Sequence, residues 1–286
     1  MDHPVRIGTR GSPLALAQAR LVAEALRAAR GCAVELVPIT TSGDVIQDRP
    51  LAEVGGKALW TRELDAALAE GRTDLSVHSM KDVETVRPAL FAIPAMLERA
   101  DPRDRLIGAD SIAALPAGAR IGTSSPRRAA QLLARRRDLV TVPIRGNVET
   151  RLAKVARGEV DATLLAAAGL ARLGIEAGVP LDLLPAPAQG AIGTEILAER
   201  DDLRALLGAI DHAPTHESVA AERAFLAALG GTCHSAVAAL SEGGRLRAEI
   251  LSADGREVHA GEGEPEALAR QLLNQASPAL RALFAP

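Results

Sequence analysis

Three stretches carry residue types able to do chemistry: VHSMKDV at Val77–Val83, GTSSPRR at Gly122–Arg128 and GGTCHS at Gly230–Ser235. In the first, an apolar run enters Lys81 and Asp82 directly. A carboxylate at a strand end can serve as general acid or stabilise a cation that develops during reaction. The same spacing also suits a solvated Lys-Asp turn. In the second, Arg127 and Arg128 fall in the first turn of a predicted helix, where its dipole disfavours cations by up to about 1 kcal/mol. An anion bound there resolves the conflict, because backbone N–H groups, Thr123, Ser124, Ser125 and two guanidinium forks converge on a carboxylate or phosphate. The plainer alternative is two surface arginines on an exposed helix. In the third, Cys233 is open to five readings: disulfide half, metal ligand, nucleophile, covalent tether or ordinary packing.

Further arginines stand at predicted strand ends and helix starts: Arg10 in the first loop, Arg145 and Arg151 in IRGNVETRLAKV, and Arg172 in AAGLARLG. One arginine is normally a surface residue; several so placed suggest a polyanionic ligand. That ligand is not nucleic acid or an anionic membrane, since a net charge of −3 and 1% aromatic residues supply neither the basic patch nor the stacking platforms such partners need. The run ARRRD at Ala134–Asp138 reads as a solvated helix end where cations offset the dipole.

Metal chemistry has little to work with. Only two cysteines are present, which rules out a thiolate zinc cage, and Cys32 begins an apolar run as a small core residue. His212 and His216 are spaced i,i+4, but Pro214 between them argues against a helical metal face. Neither a GxxxxGK[ST] phosphate loop nor a GxSxG elbow occurs. No apolar stretch approaches the roughly 20 residues that span a bilayer, and MDHPVRIGTR has no signal-peptide pattern. The expectation is a soluble, cytoplasmic protein, where a lone disulfide is disfavoured.

The elements that must position these residues occur twice. VRIGTRGSPLALAQARLV is echoed by ARIGTSSPRRAAQLLARR, each a strand, a Gly-Thr turn, a Ser N-cap (Ser12, Ser125), Pro at the first helical position (Pro13, Pro126) and a helix. GRTDLSVHSMKDV is echoed by GEVDATLLAAAGLARL, each with a Gly that ends a helix ahead of an Asp and an apolar strand. Two related α/β units follow, with ligands expected at the carboxyl ends of their strands in a cleft. From Asp211 the pattern changes to a helix, the GGTCHS loop, short strands and a closing helix, a small third α/β domain. The expected domains are 1–97 with 193–210, 98–192, and 211–286.

RIGTRGSPLALAQ, GGKALWTREL, VHSMKDV, ERADPRD, GTSSPRR, IRGNVETRL, LAAAGLARL, PAPAQGAIG and ERAFLAALGGTCHS follow one another as they do in the hydroxymethylbilane synthase (porphobilinogen deaminase) family. The chain resembles that family over nearly its whole length. The resemblance implies two domains like periplasmic solute-binding proteins around a cleft, plus a small C-terminal α/β domain. It implies a monomeric transferase of tetrapyrrole (heme) biosynthesis that joins four porphobilinogen molecules head to tail into linear hydroxymethylbilane, releasing ammonia each time. It further implies a dipyrromethane cofactor bound by a thioether to Cys233, and no metal.

By the same resemblance Asp82 is the catalytic carboxylate, with Lys81 beside it, assisting ammonia loss and stabilising the azafulvenium cation. Ser12, Lys57, Ser79, Lys81, Asp82, Thr123, Ser124, Ser125, Arg127, Arg128, Arg145, Gly146, Gln189 and Gly190 would hold the cofactor, and Arg10, Ser12, Arg145, Arg151 and Arg172 the substrate. Each pyrrole brings an acetate and a propionate, for which arginine offers bidentate pairing that lysine cannot.

Five positions depart from the family pattern. Glu53 stands where many members have lysine, Trp60 where Phe is usual, Glu84 where proline commonly follows KDV, Pro126 for a usual leucine and Ala188 for a usual glycine. The last matters where that backbone takes a positive φ. Two further readings use the same features. One is a non-catalytic two-lobed anion-binding protein; the other is a zinc or redox protein built on Cys233, which stoichiometric zinc would support.

Overall fold

The computed structural model describes residues 3–45, 58–230 and 235–284. In chain order its strands are β1 (Val5–Arg10), β2 (Val34–Ile39), β3 (Leu75–Ser79), β4 (Phe91–Met96), β5 (Asp104–Ile107), β6 (Arg120–Gly122), β7 (Val140–Val142), β8 (Ala162–Ala166), β9 (Val179–Pro180), β10 (Ile192–Leu197), β11 (Ala236–Glu242), β12 (Arg245–Leu251) and β13 (Val258–Gly263). The chain separates into two compact units, Met1–Ala100 with Gly190–Glu217, and Asp101–Gln189 with Ser218–Pro286.

The first unit holds a sheet of order β2-β1-β3-β10-β4, with β1 parallel to β2 and β3, and β10 antiparallel to β3 and β4. Ser12 caps helix Pro13–Arg30, its Oγ accepting from Ala15 N at 3.3 Å, and Gly31 ends the helix at φ 63°. That helix lays Val22 and Leu26 on Ile7, Leu75, Val77 and Ile196, all buried. Each such side chain contributes roughly 1.5–3 kcal/mol on burial.

The second unit repeats the plan as β7-β6-β8-β5-β9, again with three parallel strands and an antiparallel fourth. Ser125 caps helix Pro126–Arg135 through Arg128 N, with proline at the first helical position as in the first unit. The echoed Gly-x-x-Asp stretches have one physical job. Gly71 and Gly158 take φ of 67° and 69°. Three residues later Asp74 accepts from Arg6 N at 2.8 Å, and Asp161 from Arg120 N at 2.6 Å. Each carboxylate thus ties the start of β3 or β8 to the neighbouring first strand. What differs is the fourth strand: β10 arrives late in the chain, whereas β5 comes before the rest of its sheet.

The second unit also contains the antiparallel sheet β11-β12-β13. Helix Ala213–Leu229 gives it Phe225 and Leu229, and helix Pro265–Gln275 gives Leu268 and Leu272, around Val237, Ile250 and Phe284. Ala130 and Ala134 of helix Pro126–Arg135 pack on Ala236 and Leu251, which joins this sheet to the same unit. The aliphatic cores follow directly from a chain with three Phe, one Trp and no Tyr.

The ARRRD run is more than a solvated helix end. Arg136 pairs with Asp138 at 2.6 Å and donates to the carbonyls of Ile112 and Leu115, and Arg135 donates to Asp182 O. His212 and His216 stand at the start of helix Ala213–Leu229, whose first turn accommodates Pro214, and they serve that helix start: His212 Nδ1 lies 2.8 Å from Thr215 Oγ1, and His216 Nδ1 lies 2.9 Å from Asp211 Oδ1.

Candidate active site

Because β1 and β3 run parallel as neighbours, their carboxyl ends open on one edge of the first sheet. A pocket at that edge is lined by Arg10 at the end of β1, Ser12 at the helix cap, Gln18 of that helix, Trp60, Thr61, His78, Ser79 and Asp82. The Arg10 guanidinium lies over the Trp60 ring, 3.8 Å from its centre. Trp60 in turn fits against Gly43, where an added Cβ would stand 2.3 Å from the indole. Buried Gln18 donates to Ser79 Oγ at 2.7 Å, which leaves the Ser79 proton for another acceptor.

A single 3-10 turn, Met80–Asp82, follows β3 and presents Lys81 and Asp82, both half-buried. Buried Met80 and Val83 anchor its two ends, with Met80 N donating to Ala191 O at 3.1 Å and Val83 N to Met80 O at 3.3 Å. Among the described residues no hydrogen bond or ion pair engages the Asp82 carboxylate. It faces the pocket that also holds a guanidinium and three hydroxyls.

In the second unit β6 and β8 are parallel neighbours, so Thr123, Ser124, Ser125 and helix Ala167–Arg172 gather at one edge. Thr123 Oγ1 accepts from Ser125 N at 3.1 Å, and Ser124 Oγ donates to Ile144 O at 2.6 Å, which brings the Arg145 and Gly146 loop alongside. Gly146 takes φ 109°, and a Cβ there would meet Thr150 at 2.5 Å. Arg151 Nε donates back to Gly146 O at 3.0 Å. Burial alone pushes the Arg172 guanidinium down to about 10, so an anion beside it would be favoured.

Arg127 and Arg128 are neither surface residues nor simply aimed at an outside ligand, for they are 4% and 7% exposed and an internal anion meets both. Arg127 Nη1 donates to Asp104 Oδ2 at 2.5 Å, and Arg128 Nη2 to Asp104 Oδ1 at 2.7 Å. Gln189 Nε2 adds a third donor to Asp104 at 2.8 Å. Burial of Asp104 favours its neutral form, yet the two guanidiniums outweigh that and hold the carboxyl far below the ordinary range. The Nε atoms of both arginines are buried without a partner among the described residues.

Asp104 is the residue that sequence reasoning missed, although it closes the ERADPRD motif; the signal was an arginine pair at a helix start in need of an anion. Gln18, Thr61 and His78 were also missed. Lys57, Glu53 and Cys233 lie outside the described residues. Gly190 takes φ 91° and accepts from Ala100 N at 3.3 Å.

Ala188 adopts φ 63°, the conformation that favours glycine, while 1% exposed and donating its N–H to Glu222 Oε2 at 2.6 Å. Alanine there carries roughly 1–2 kcal/mol of strain. Ala188→Gly is expected to stay within about 1 kcal/mol of the parent, since relieved strain offsets a lost buried methyl of about 0.8 kcal/mol. Ala188→Val, β-branched in a closed site, should lose about 2 kcal/mol or more. Thermal unfolding of both variants checks this, and valine matching or beating glycine would refute it.

A strand-end pocket with arginine, hydroxyls and a carboxylate unengaged among the described residues, in a chain whose other unit has its own strand edge rich in arginine, defines an α/β protein built to handle anionic ligands. Comparison with known proteins gives the particular family. Residues 5–205 match the model of the porphobilinogen deaminase dipyromethane cofactor binding domain, and residues 216–276 match that of the porphobilinogen deaminase C-terminal domain. The chain belongs to the porphobilinogen deaminase family. It is 60% identical to a porphobilinogen deaminase of Sphingopyxis alaskensis, over 99% of this chain and 98% of that one. It is 49% identical to one of Paracoccus denitrificans, over 91% and 88%. Solved structures that align include the methionine-binding protein MetQ (TM-score 0.46, 11% identity, 77% of this chain and 94% of that one) and the periplasmic VFT2 domain of Bordetella pertussis BvgS (0.44, 15%, 77% and 91%).

Proposed function

We propose that this chain is a hydroxymethylbilane synthase, condensing four porphobilinogen molecules head to tail with release of ammonia at each step, and that Asp82 is its catalytic carboxylate. The observation that carries the assignment is the convergence of Arg10, Ser12, Ser79 and Asp82 on one strand-end pocket in a chain of this family. At each condensation the protonated amino group leaves as ammonia when its bond to carbon breaks, and the carbon left behind is cationic. The α-carbon of the neighbouring pyrrole then forms a carbon–carbon bond to it and gives up its hydrogen as a proton, which restores that ring. Asp82, held close by its turn, stabilises the cationic carbon and accepts hydrogen bonds from pyrrole N–H groups.

The donor set fits a dipyrromethane cofactor. Its acetate and propionate groups call for guanidinium and hydroxyl donors, which Ser12 and Ser79 supply in the first unit and Thr123, Ser125 and Arg145 in the second, while Arg10 and Arg151 are assigned to the carboxylates of the substrate. The buried Nε atoms of Arg127 and Arg128, unpartnered among the described residues, are donors of the same kind. When bound, the group supplies the pyrrole carbon to which the first substrate is joined. We assign Lys57, Lys81, Ser124, Gly146, Gln189 and Gly190 to its surroundings, Arg172 to substrate carboxylates, and Cys233 to its thioether. The domains run 1–97 with 193–210, 98–192 and 211–286. Composition and family together support a cytoplasmic monomer with no nucleic-acid or membrane partner, and no helix among the described residues is long and apolar enough to cross a membrane.

Intact mass of the purified protein tests the cofactor directly. A mass excess equal to one dipyrromethane, mapped to the peptide holding Cys233 and lost in Cys233→Ser, is the expected result. An unmodified chain, even after incubation with porphobilinogen, would instead favour a non-catalytic anion-binding protein.

A further inference from the structure

The Asp82 carboxylate has no hydrogen bond or ion pair among the described residues, so the backbone of its turn must set its position. The entrance is well held: β3 is paired on both sides, and Met80 is 1% exposed. The exit is different. Val83 is buried, but from Val86 onward the apolar side chains before β4 are exposed, Val86 by 77% and Leu90 by 51%. Apolar packing therefore fixes little between Val83 and β4.

Polar contacts do that work. Glu84, two residues past Asp82, accepts from Thr61 Oγ1 at 3.0 Å and from Arg87 Nη1. Thr61 is 1% exposed on helix Ala58–Ala69 and lines the same pocket as Asp82. Arg87 is held in turn by Asp65 Oδ1 at 2.6 Å on that helix, and by Glu195 Oε1 at 2.7 Å on β10. Glu195 is fully buried and also meets His78 Nε2 at 3.1 Å, on the strand that leads into the turn. Burial opposes the Arg87 charge, but Glu195 and Asp65 overcome it and keep the guanidinium protonated. The network closes a ring from β3 through β10 and the helix to the residue just after Val83.

We propose that Glu84, gripped by Thr61 and Arg87, is a positioning residue that holds the exit of the turn presenting Asp82. The inference rests on the reading of Asp82 as the catalytic carboxylate. Arg87 is a poor place to test it, since removing it strands buried Glu195. Glu84 is the better one, because its side chain is 31% exposed and its loss should leave the fold intact.

The experiment compares Glu84→Ala and Glu84→Gln in the full-length, cofactor-loaded protein, by steady-state kinetics on porphobilinogen and by amide hydrogen exchange. Glu84→Ala should lower kcat about tenfold with KM within about twofold, since a small misplacement of a reacting group is costly. Exchange at Lys81–Val83 should rise about tenfold with the rest of the chain unchanged, as expected for losing a charged anchor. Glu84→Gln keeps an oxygen acceptor for both donors and should restore both readouts to within about threefold. Unchanged kcat and exchange in Glu84→Ala would overturn the proposal. So would a rise in KM alone, or a loss of activity matched by faster exchange throughout the chain. Should the parent protein fail to turn over porphobilinogen, the functional reading falls, while local exchange in the two variants still decides whether Glu84 anchors the turn.

Discussion

Asp82→Asn should lower kcat for porphobilinogen consumption about 10²- to 10³-fold while leaving thermal stability and circular dichroism unchanged. The amide has the size of the carboxylate, and among the described residues the Asp82 side chain holds nothing in place, so the fold has no stake in its charge. The reaction does. A cation that forms beside a fixed carboxylate in a part-desolvated pocket is stabilised more than in water, and the neutral amide cannot supply that attraction. KM should change much less than kcat, because Arg10 and Ser12, the pocket residues assigned to substrate carboxylates, remain in place. Turnover equal to the parent, with cofactor loading confirmed by mass, would refute the assignment of Asp82.

The second large effect is on stability. Asp104→Ala leaves Arg127 and Arg128 buried side by side without their shared anion, and breaking a buried pair in this way costs about 3–5 kcal/mol. Total domain stability is about 5–15 kcal/mol, so the second unit should melt much earlier or fail to fold. Asp104→Asn, nearly the same shape, separates charge from packing and should show most of the loss.

The pH dependence has a definite sign. The folded carboxyl of Asp104 titrates well below the ordinary carboxylate value of about 3.9. Its contribution is therefore complete above about pH 4 and is lost as pH falls from there toward the folded value. Urea unfolding between about pH 7 and pH 3 should show an acid-side decline in the parent that is shallower in Asp104→Asn. Equal declines in the two proteins would mean that other carboxylates carry the acid sensitivity.

Both effects bear on what an arginine at a helix start can mean. Two guanidiniums near the positive end of a helix dipole called for an anion, and the structure contains one, Asp104, where an outside ligand was expected to be the first partner. The two roles are compatible, because Asp104 takes the terminal nitrogens while both Nε atoms stay unpartnered among the described residues. Glu84 is a comparable case. On sequence it is a departure from the family pattern; in the fold its carboxylate reaches Thr61 and Arg87 beside the turn that presents Asp82.

What the sequence determined by itself is everything that depends on near neighbours. Ser12 with Pro13, and Ser125 with Pro126, marked two helix starts, because a hydroxyl cap and a fixed φ act within one turn. Gly71 and Gly158, each three residues ahead of an Asp, marked two strand entries, and the repeat of both patterns revealed the two related sheets. Asp82 was placed at a strand end by the apolar run before it. Only the tertiary structure decided the pairings between distant segments: Asp104 with Arg127, 23 residues on, and Arg87 with Glu195, 108 residues on. It also decided that β10 and β5 enter their sheets antiparallel from opposite ends of the repeat. Local propensity is indifferent to such partners, because a buried charge selects its counter-charge only after strand order and register have brought the two segments together.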